Sequence, residues 1–419
     1  MPQIKDVLQE SNKWWKEKLE LEYKDREIYT IINKCITQKQ IISLTGLRRV
    51  GKTTLMFKIV DDYIKQGINP ENIMYFSFDE FRDKEIREII KEYEQLMNKQ
   101  LNQGKYLFLF DEIQKVRNWE EQIKRIYDNY SKNVKIIISG SESLFIRRKS
   151  KESLAGRIFE FKIEPLTFLE YLAFKGIKIK NEKLYEKELS QLFQQFIITQ
   201  GFPEIIDLQD KELIKKYIRE NIIEKTIYSD IPILFAIKDI SLIQSLVNII
   251  MEEPGQIIQL DDLAKELNIA RQTLSLYLSY LEESFLLRKL YNYSRNRRKI
   301  ERKLKKYYPT IISGDILFRE DDYSKSKVFE SVIINKLKAE FFWRDSYKNE
   351  VDAIITKEKI IPIEIKYGKI EINGLLAFMQ QFNCKEGVVV SKAKQEKIQQ
   401  KGNTITVLPA YLFFLKKNL

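Results

Sequence analysis

The chain contains no histidine at all. That excludes imidazole bases and imidazole metal ligands, and with them Ser-His-Asp triads, His-ligated zinc hydrolases and His-dependent nucleases. Any hydrolysis must run on carboxylates, lysine and metal ions. Cysteine is nearly absent too: Cys35 and Cys384 stand far apart and form neither a disulfide framework nor a zinc-ligand spacing. No stretch approaches the roughly 18 uninterrupted apolar residues of a membrane span. The opening Met-Pro-Gln-Ile-Lys-Asp-Val lacks the apolar core of a signal peptide. Together these absences lead us to expect a cytoplasmic protein with no membrane partner.

What is present is a 419-residue chain, 44% apolar and 32% charged, of a size for about two to four domains. Lys and Arg number 72 against 60 acids, a net charge of +12. Such an excess suits an anionic partner, nucleic acid first; it is equally the mark of a lysine-rich background.

The most informative stretch is Gly46-Leu47-Arg48-Arg49-Val50-Gly51-Lys52-Thr53. It follows the apolar run Ile41-Ile42-Ser43-Leu44 and opens into the helical pattern Thr54–Val60. This is the strand–loop–helix setting of a phosphate-binding P-loop. Glycine at both ends lets successive N–H groups turn inward, and the helix adds its positive end. In that role Lys52 reaches the β- and γ-phosphates and Thr53 ligates Mg²⁺. Downstream, Tyr106-Leu107-Phe108-Leu109-Phe110 is an apolar strand closing on Asp111-Glu112. Asp111 is the Mg²⁺ candidate, and Glu112 the residue that orients and activates water. Between them Ile73–Phe78 reads as a second strand and Lys84–Lys99 as a helix.

A fourth strand, Lys135–Ser139, ends in Ser139-Gly140-Ser141-Glu142-Ser143. Ser139 and Ser141 are candidates to sense the γ-phosphate, with a plain serine N-cap as the competing role. Of Arg147, Arg148 and Arg157, Arg157 is the chosen arginine finger, acting in cis or, in a homo-oligomer, across a subunit interface. Residues 3–36 read as a charged helical arm whose Trp14 and Trp15 dock it on a neighbouring surface.

A mainly helical region runs from Pro165 to about Asp230. Then Leu260–Leu267 and Arg271–Glu283 have helix-turn-helix spacing. The second helix buries Leu274, Leu278 and Leu281 and exposes Arg271, Gln272, Thr273 and Ser275, where base-reading residues lie. Phe285–Tyr293 reads as the ribbon of a winged helix, a module that binds DNA in some proteins and other proteins elsewhere. Ten basic residues between 288 and 306 face the single acid Glu301, with Tyr291, Tyr293, Tyr307 and Tyr308 close by. That mixture suits phosphate contacts and base stacking, or a solvated linker.

The last region places Glu330 on an amphipathic helix, Asp352 on a strand, and Glu364 and Lys366 two apart on the next, hence on one side of the sheet. Three carboxylates and a lysine converging in this way form a candidate site for one or two Mg²⁺ ions acting on a phosphodiester, with Asp352 and Glu364 as metal ligands, or else a buried acid–lysine pairing on a sheet.

With these residues in view, the chain resembles prokaryotic AAA+-like ATPases that fuse a P-loop domain to a winged helix and a C-terminal PD-(D/E)XK nuclease-like domain. Gly46–Thr54 with its double arginine, Leu107–Glu112, Ile138–Leu144, Leu154–Arg157, Pro165–Glu170 and Gly201–Glu204 carry the likeness, as do the Glu330 helix and Asp352…Glu364-Ile365-Lys366. Glu142 departs from the small polar residues usual there. The resemblance implies an α/β fold: a parallel-sheet P-loop NTPase (1–175), an all-α and winged-helix middle region (176–306) and a small restriction-endonuclease-like α/β domain (307–419). It implies ATP and Mg²⁺ as cofactors, with Gly46, Arg49, Val50, Gly51, Lys52, Thr53, Thr54 and Ser139 at the nucleotide. Glu330, Asp352, Glu364 and Lys366 would form a nuclease centre, and DNA would be the partner of the winged helix and of residues 288–306.

Overall fold

The computed structural model describes residues 3–79, 81, 84–140, 154–179, 181–182, 184–235, 237, 239–296, 298, 300, 304–400 and 402–416. The expected roles of Ser141, Glu142, Arg147 and Arg148 fall outside these residues, as do those of Arg297, Lys299, Arg302 and Lys303. Two compact units emerge: Met1–Pro165 with Ser229–Ala236, and Leu166–Tyr228 with Ile237–Leu419.

The first unit is built on a five-stranded, wholly parallel sheet of β1 (Ile41–Thr45), β2 (Ile73–Ser77), β3 (Tyr106–Asp111), β4 (Val134–Gly140) and β5 (Ile158–Lys162), in the order β2-β3-β4-β1-β5. Every residue of β1 and β3 is buried, which is why both read as unbroken apolar runs. β4 lies between β1 and β3, with Thr45 opposite Gly140 and Phe110 opposite Ile138. The carboxyl ends of the P-loop strand and the acid-bearing strand therefore flank the end of β4. Ligands of parallel α/β sheets bind at such ends.

The amino-terminal arm is only partly helical, as Ile4–Ser11 and Glu27–Ile36 with a short 3₁₀ turn, Lys13–Trp15. Its docking role holds. Asn12 pairs with both the N–H and the C=O of Tyr75 (2.7 and 2.9 Å), and Trp14 and Trp15 each donate their indole N–H to the Ile73 carbonyl. Side chains thus satisfy backbone groups along the open edge of β2 that would otherwise invite another strand.

The second unit holds a nine-stranded mixed sheet. Its strands are β6 (Gln256–Ile258), β7 (Leu287–Asn292), β8 (Lys305–Pro309), β9 (Phe341–Arg344), β10 (Glu350–Ile355), β11 (Ile361–Lys366), β12 (Glu386–Ser391), β13 (Glu396–Gln400) and β14 (Asn403–Pro409). The order is β13-β14-β12-β11-β10-β9-β7-β8-β6. Strand alternation divides the apolar residues between two cores: Phe342 and Val390 join Phe329, Ile333 and Phe414, while neighbouring Trp343 and Val389 join Leu375 and Phe378. The β9–β10 register shifts between Val351 and Ile354, the stretch that holds Asp352.

The helices Leu260–Glu266 and Arg271–Glu283 form as expected, and Leu274, Leu278 and Leu281 are buried. The ribbon that follows is not free. β7 pairs with β8 on one edge and with β9 on the other. The boundary expected after residue 306 consequently falls inside β8, a strand of a continuous sheet. Lys306, Tyr307, Tyr308 and Tyr293 are all buried, so none of them is available to phosphates or bases. Of the remaining basic residues, Arg288 donates to Asn335, Lys289 to Glu282 and Arg295 to the Phe382 carbonyl. Strand pairing, which a count of charges cannot register, has drawn much of this segment inward.

Candidate functional site

At the end of β1 the backbone adopts positive φ at Gly46 (147°), Arg49 (65°) and Gly51 (95°). Gly46 is obligatory on two counts, because a Cβ there would also collide with the Ile163 carbonyl. Gly51 is the last residue before the helix Lys52–Lys65. The Lys52 ammonium lies back over the loop and donates to the carbonyls of Gly46 (3.1 Å) and Leu47 (2.9 Å). From behind, the buried Arg26 donates to the Val50 carbonyl (3.0 Å) and to the Glu164 carbonyl (2.7 Å), bracing the loop against the chain beyond β5. Thr54 is exposed on the outer side of the helix, one residue past Thr53.

Asp111 is the hub of the opposite wall. It accepts from the Thr53 hydroxyl (2.7 Å), the Tyr75 hydroxyl (2.8 Å) and the Ser139 hydroxyl. Three strands and the P-loop helix thus hold one carboxylate, leaving it little freedom to rotate. Burial and the Asp111 charge together push the Tyr75 phenol well up, so it stays a donor. Glu112 turns off the strand at φ 54°, its N–H meeting Ser139 Oγ at 3.2 Å and its carboxylate accepting from Gln114 (2.6 Å). Burial raises the Glu112 pKa above the ordinary 4.5; Lys52 and Arg48 pull it back, while Asp111 and Asp230 add to the rise.

Asp230 is the residue with no counterpart in the sequence reading. Almost wholly buried, it grips the Arg48 guanidinium of the P-loop through both carboxylate oxygens, one contact measuring 2.7 Å. Burial alone would lower the Arg48 pKa, but the Asp230 carboxylate outweighs it and holds the group above its usual range. The planar fork of arginine suits that bidentate grip.

Lys52, Thr53, Asp111, Glu112 and Ser139 are therefore brought together at one sheet edge. Arg157 is not. Its carbonyl accepts from Ile41 N, at the amino end of β1, so it lies a strand length of roughly 16 Å from the P-loop end. There it pairs with Asp128 (2.9 Å). A finger acting in cis is overturned by the direction of the sheet.

In the second unit, Glu330, Asp352, Glu364 and Lys366 also gather, with company the sequence did not announce. Lys366 pairs with Glu364 (2.7 Å), and Asp352 accepts from Ile365 N (2.7 Å) across the β10–β11 hairpin. Tyr308 donates to Glu330 (2.6 Å). The Lys306 ammonium meets Glu350 at 2.5 Å and Glu330 at 3.8 Å. Burial raises the carboxyls of Asp352 and Glu364 above the ordinary carboxylate range, with Glu330 adding to the first and Asp352 to the second. Among the described residues no group of three or more Asp, Glu, Cys or His is placed to hold a metal ion. Asp352 and Glu364, the expected Mg²⁺ ligands, sit on paired strands, and Glu330 is engaged by Tyr308 and Lys306.

Comparison with known proteins divides the chain into three matched stretches. Residues 38–172 match the family model described as an AAA domain, and 190–310 and 325–413 match two domains of unknown function, DUF8612 and DUF4143. The Aeropyrum pernix ORC1 protein, solved in complex with DNA, is 11% identical with a TM-score of 0.37, covering 78% of this chain and 98% of that one. Thermotoga maritima RuvB is 15% identical with a TM-score of 0.33, covering 69% and 98%. Likeness at that level carries no weight for function. Among the described residues no helix is long and apolar enough to cross a membrane. The uncharacterized Methanocaldococcus jannaschii protein MJ1637 is 27% identical over 407 residues, 88% of this chain and 84% of that protein. A second uncharacterized protein of that organism, MJ1544, is 30% identical over 370 residues, 84% of this chain and 78% of its own length. The chain belongs to the family of that archaeal protein, and its residues 38–172 are an AAA-type P-loop ATPase domain.

Proposed function

We propose that the chain is a Mg²⁺-dependent ATPase whose nucleotide state governs a partner-binding module in the rest of the chain. The observation that carries this is the convergence of Gly46–Thr53 with Asp111, Glu112 and Ser139 at the carboxyl edge of one parallel sheet. The donor set suits the ligands: inward-turning backbone N–H groups and Lys52 would hold the phosphates, and Thr53 with Asp111 would hold Mg²⁺. When bound, ATP supplies the phosphoanhydride bond and Mg²⁺ the positive charge that offsets its oxygens. Lys52 contributes a fixed positive charge beside the loop. Glu112 takes the proton from water, and Gln114 fixes its orientation. Ser139 links Asp111 to the backbone of Glu112, so the two acids move together. Lys52→Ala is expected to abolish phosphate release and nucleotide binding; hydrolysis at the parent rate would sink the assignment.

For the output we favour a binding role over cleavage. Residues 240–309 have the helix–strand–helix–helix–strand–strand order of a winged helix, with Arg271, Gln272 and Ser275 exposed at the start of its second helix. We read this as the DNA-facing surface. Fluorescence-anisotropy titrations of duplex DNA at increasing salt should then show affinity falling with a slope of about −0.9 per phosphate contacted. A flat response would remove DNA as the partner. The nuclease alternative predicts that Mg²⁺ or Mn²⁺ supports cleavage of linear, circular or branched DNA, lost in Asp352→Ala and Lys366→Ala. The engagement of Glu330 by Tyr308 and Lys306 speaks for a scaffold, and we expect no cleavage of any of these substrates.

A further inference from the structure

We infer that the carboxylate cluster of the second unit is closed by a resident ammonium, that of Lys306, and takes no divalent cation. The inference deepens the scaffold reading above. Four acids meet here, Glu330, Glu350, Asp352 and Glu364, and the chain supplies a donor to each. Lys306 and Arg344 hold Glu350 (2.5 and 3.3 Å), and Tyr308 with Lys306 holds Glu330. The Ile365 N–H holds Asp352, and Lys366 holds Glu364. The Lys306 side chain is 6% exposed, so its charge sits inside the cluster and is not shared with solvent.

Its origin matters. Lys306 comes from β8, antiparallel to β7, which in turn pairs with β9. Sheet pairing therefore brings a positive charge from before the cluster's own helix and strands to the carboxylates. A divalent cation needs several oxygens free to face one point, usually with retained waters. Here both oxygens of Glu350 and one oxygen each of Glu330, Asp352 and Glu364 are already held, while Glu364 Oε2 is buried without a hydrogen-bond partner among the described residues. A cation entering beside Lys306 would also meet a like charge at close range in a poorly solvated setting. Four carboxylates already held by Lys306, Arg344, Tyr308, Lys366 and the Ile365 N–H, set against that repulsion, are a poor cation site.

The test is electron paramagnetic resonance of Mn²⁺ with the nucleotide-free full chain, which reads metal uptake and not activity. The free-ion signal should fall equally little with the parent chain and with Asp352→Asn; uptake common to both belongs to the P-loop site. Lys306→Met, which removes the resident charge, should take up about one further Mn²⁺ per chain, lost again in Lys306→Met/Asp352→Asn. Parent uptake that Asp352→Asn abolishes would overturn the inference, as would a folded Lys306→Met chain that gains none. If circular dichroism shows Lys306→Met unfolded, the comparison of parent with Asp352→Asn decides alone. ATP turnover, measured on the same samples, tests the P-loop reading separately.

Discussion

Glu112→Gln is expected to stop ATP turnover while leaving the nucleotide bound. The substitution preserves shape and keeps an oxygen for the Gln114 amide, now at 2.6 Å, but removes the group able to take a proton. General-base catalysis of this kind is worth about 10²–10⁴ in rate, and a steady-state phosphate assay should register a loss in that range. Affinity for ATP should change little, because the phosphate cradle of Gly46–Thr53 and the Thr53–Asp111 pair are untouched. Lys52→Ala makes the contrast, since it removes binding along with turnover. Parental turnover by Glu112→Gln would show that some other group activates water.

The pH profile offers a second reading of the same residue. Glu112 must be ionised to act, and burial raises its pKa above the ordinary 4.5. Lowering the pH therefore neutralises it sooner than an exposed glutamate, and the acid limb of kcat should lie above the ordinary glutamate range. A limb at or below that range would mean that Lys52 and Arg48 outweigh burial.

How much of this was legible in the sequence depends on how local each feature is. Gly46–Thr53 and Asp111-Glu112 were legible because strand, loop and helix are contiguous and every contact is made at a predictable strand end. Ser139 was legible for the same reason. Tyr75 was hidden in an apolar strand, where a tyrosine reads as core; only the pairing of β2 with β3 brings its hydroxyl to Asp111. As a finger in cis, Arg157 misled because nearness in sequence to β4 suggests nearness to phosphate, whereas a parallel connection returns the chain to the far end of the sheet. Lys306 misled because it closes a run of basic residues. The signal against that reading was present in Tyr307-Tyr308-Pro309-Thr310-Ile311-Ile312, an aromatic and apolar stretch typical of a buried strand. Glu364 and Lys366 were found from period-two spacing and Asp352 from its place on the neighbouring strand, but the partners Tyr308 and Lys306 depend on pairing across the sheet.

Asp230 is the far end of that scale, standing 182 positions from the arginine it holds, and it supports the second large prediction. Asp230→Ala leaves the Arg48 guanidinium partly buried without its carboxylate, which for a broken buried pair costs about 3–5 kcal/mol. Hydrogen exchange of peptides from β1 and β3 in rising urea should report that loss within the first unit. Arg48→Met/Asp230→Leu, which removes both charges and keeps apolar volume, should recover most of it. A purely structural pair would stop there, but this one also acts on Glu112. Asp230 raises the Glu112 pKa and Arg48 lowers it. Asp230→Asn should accordingly move the acid limb of ATP turnover to lower pH, and Arg48→Met should move it to higher pH. Opposite shifts from two residues that share one ion pair cannot arise from loosened packing, which would displace both profiles in the same direction. If both variants leave the limb where it is, the Arg48–Asp230 pair braces the P-loop and has no hold on the base.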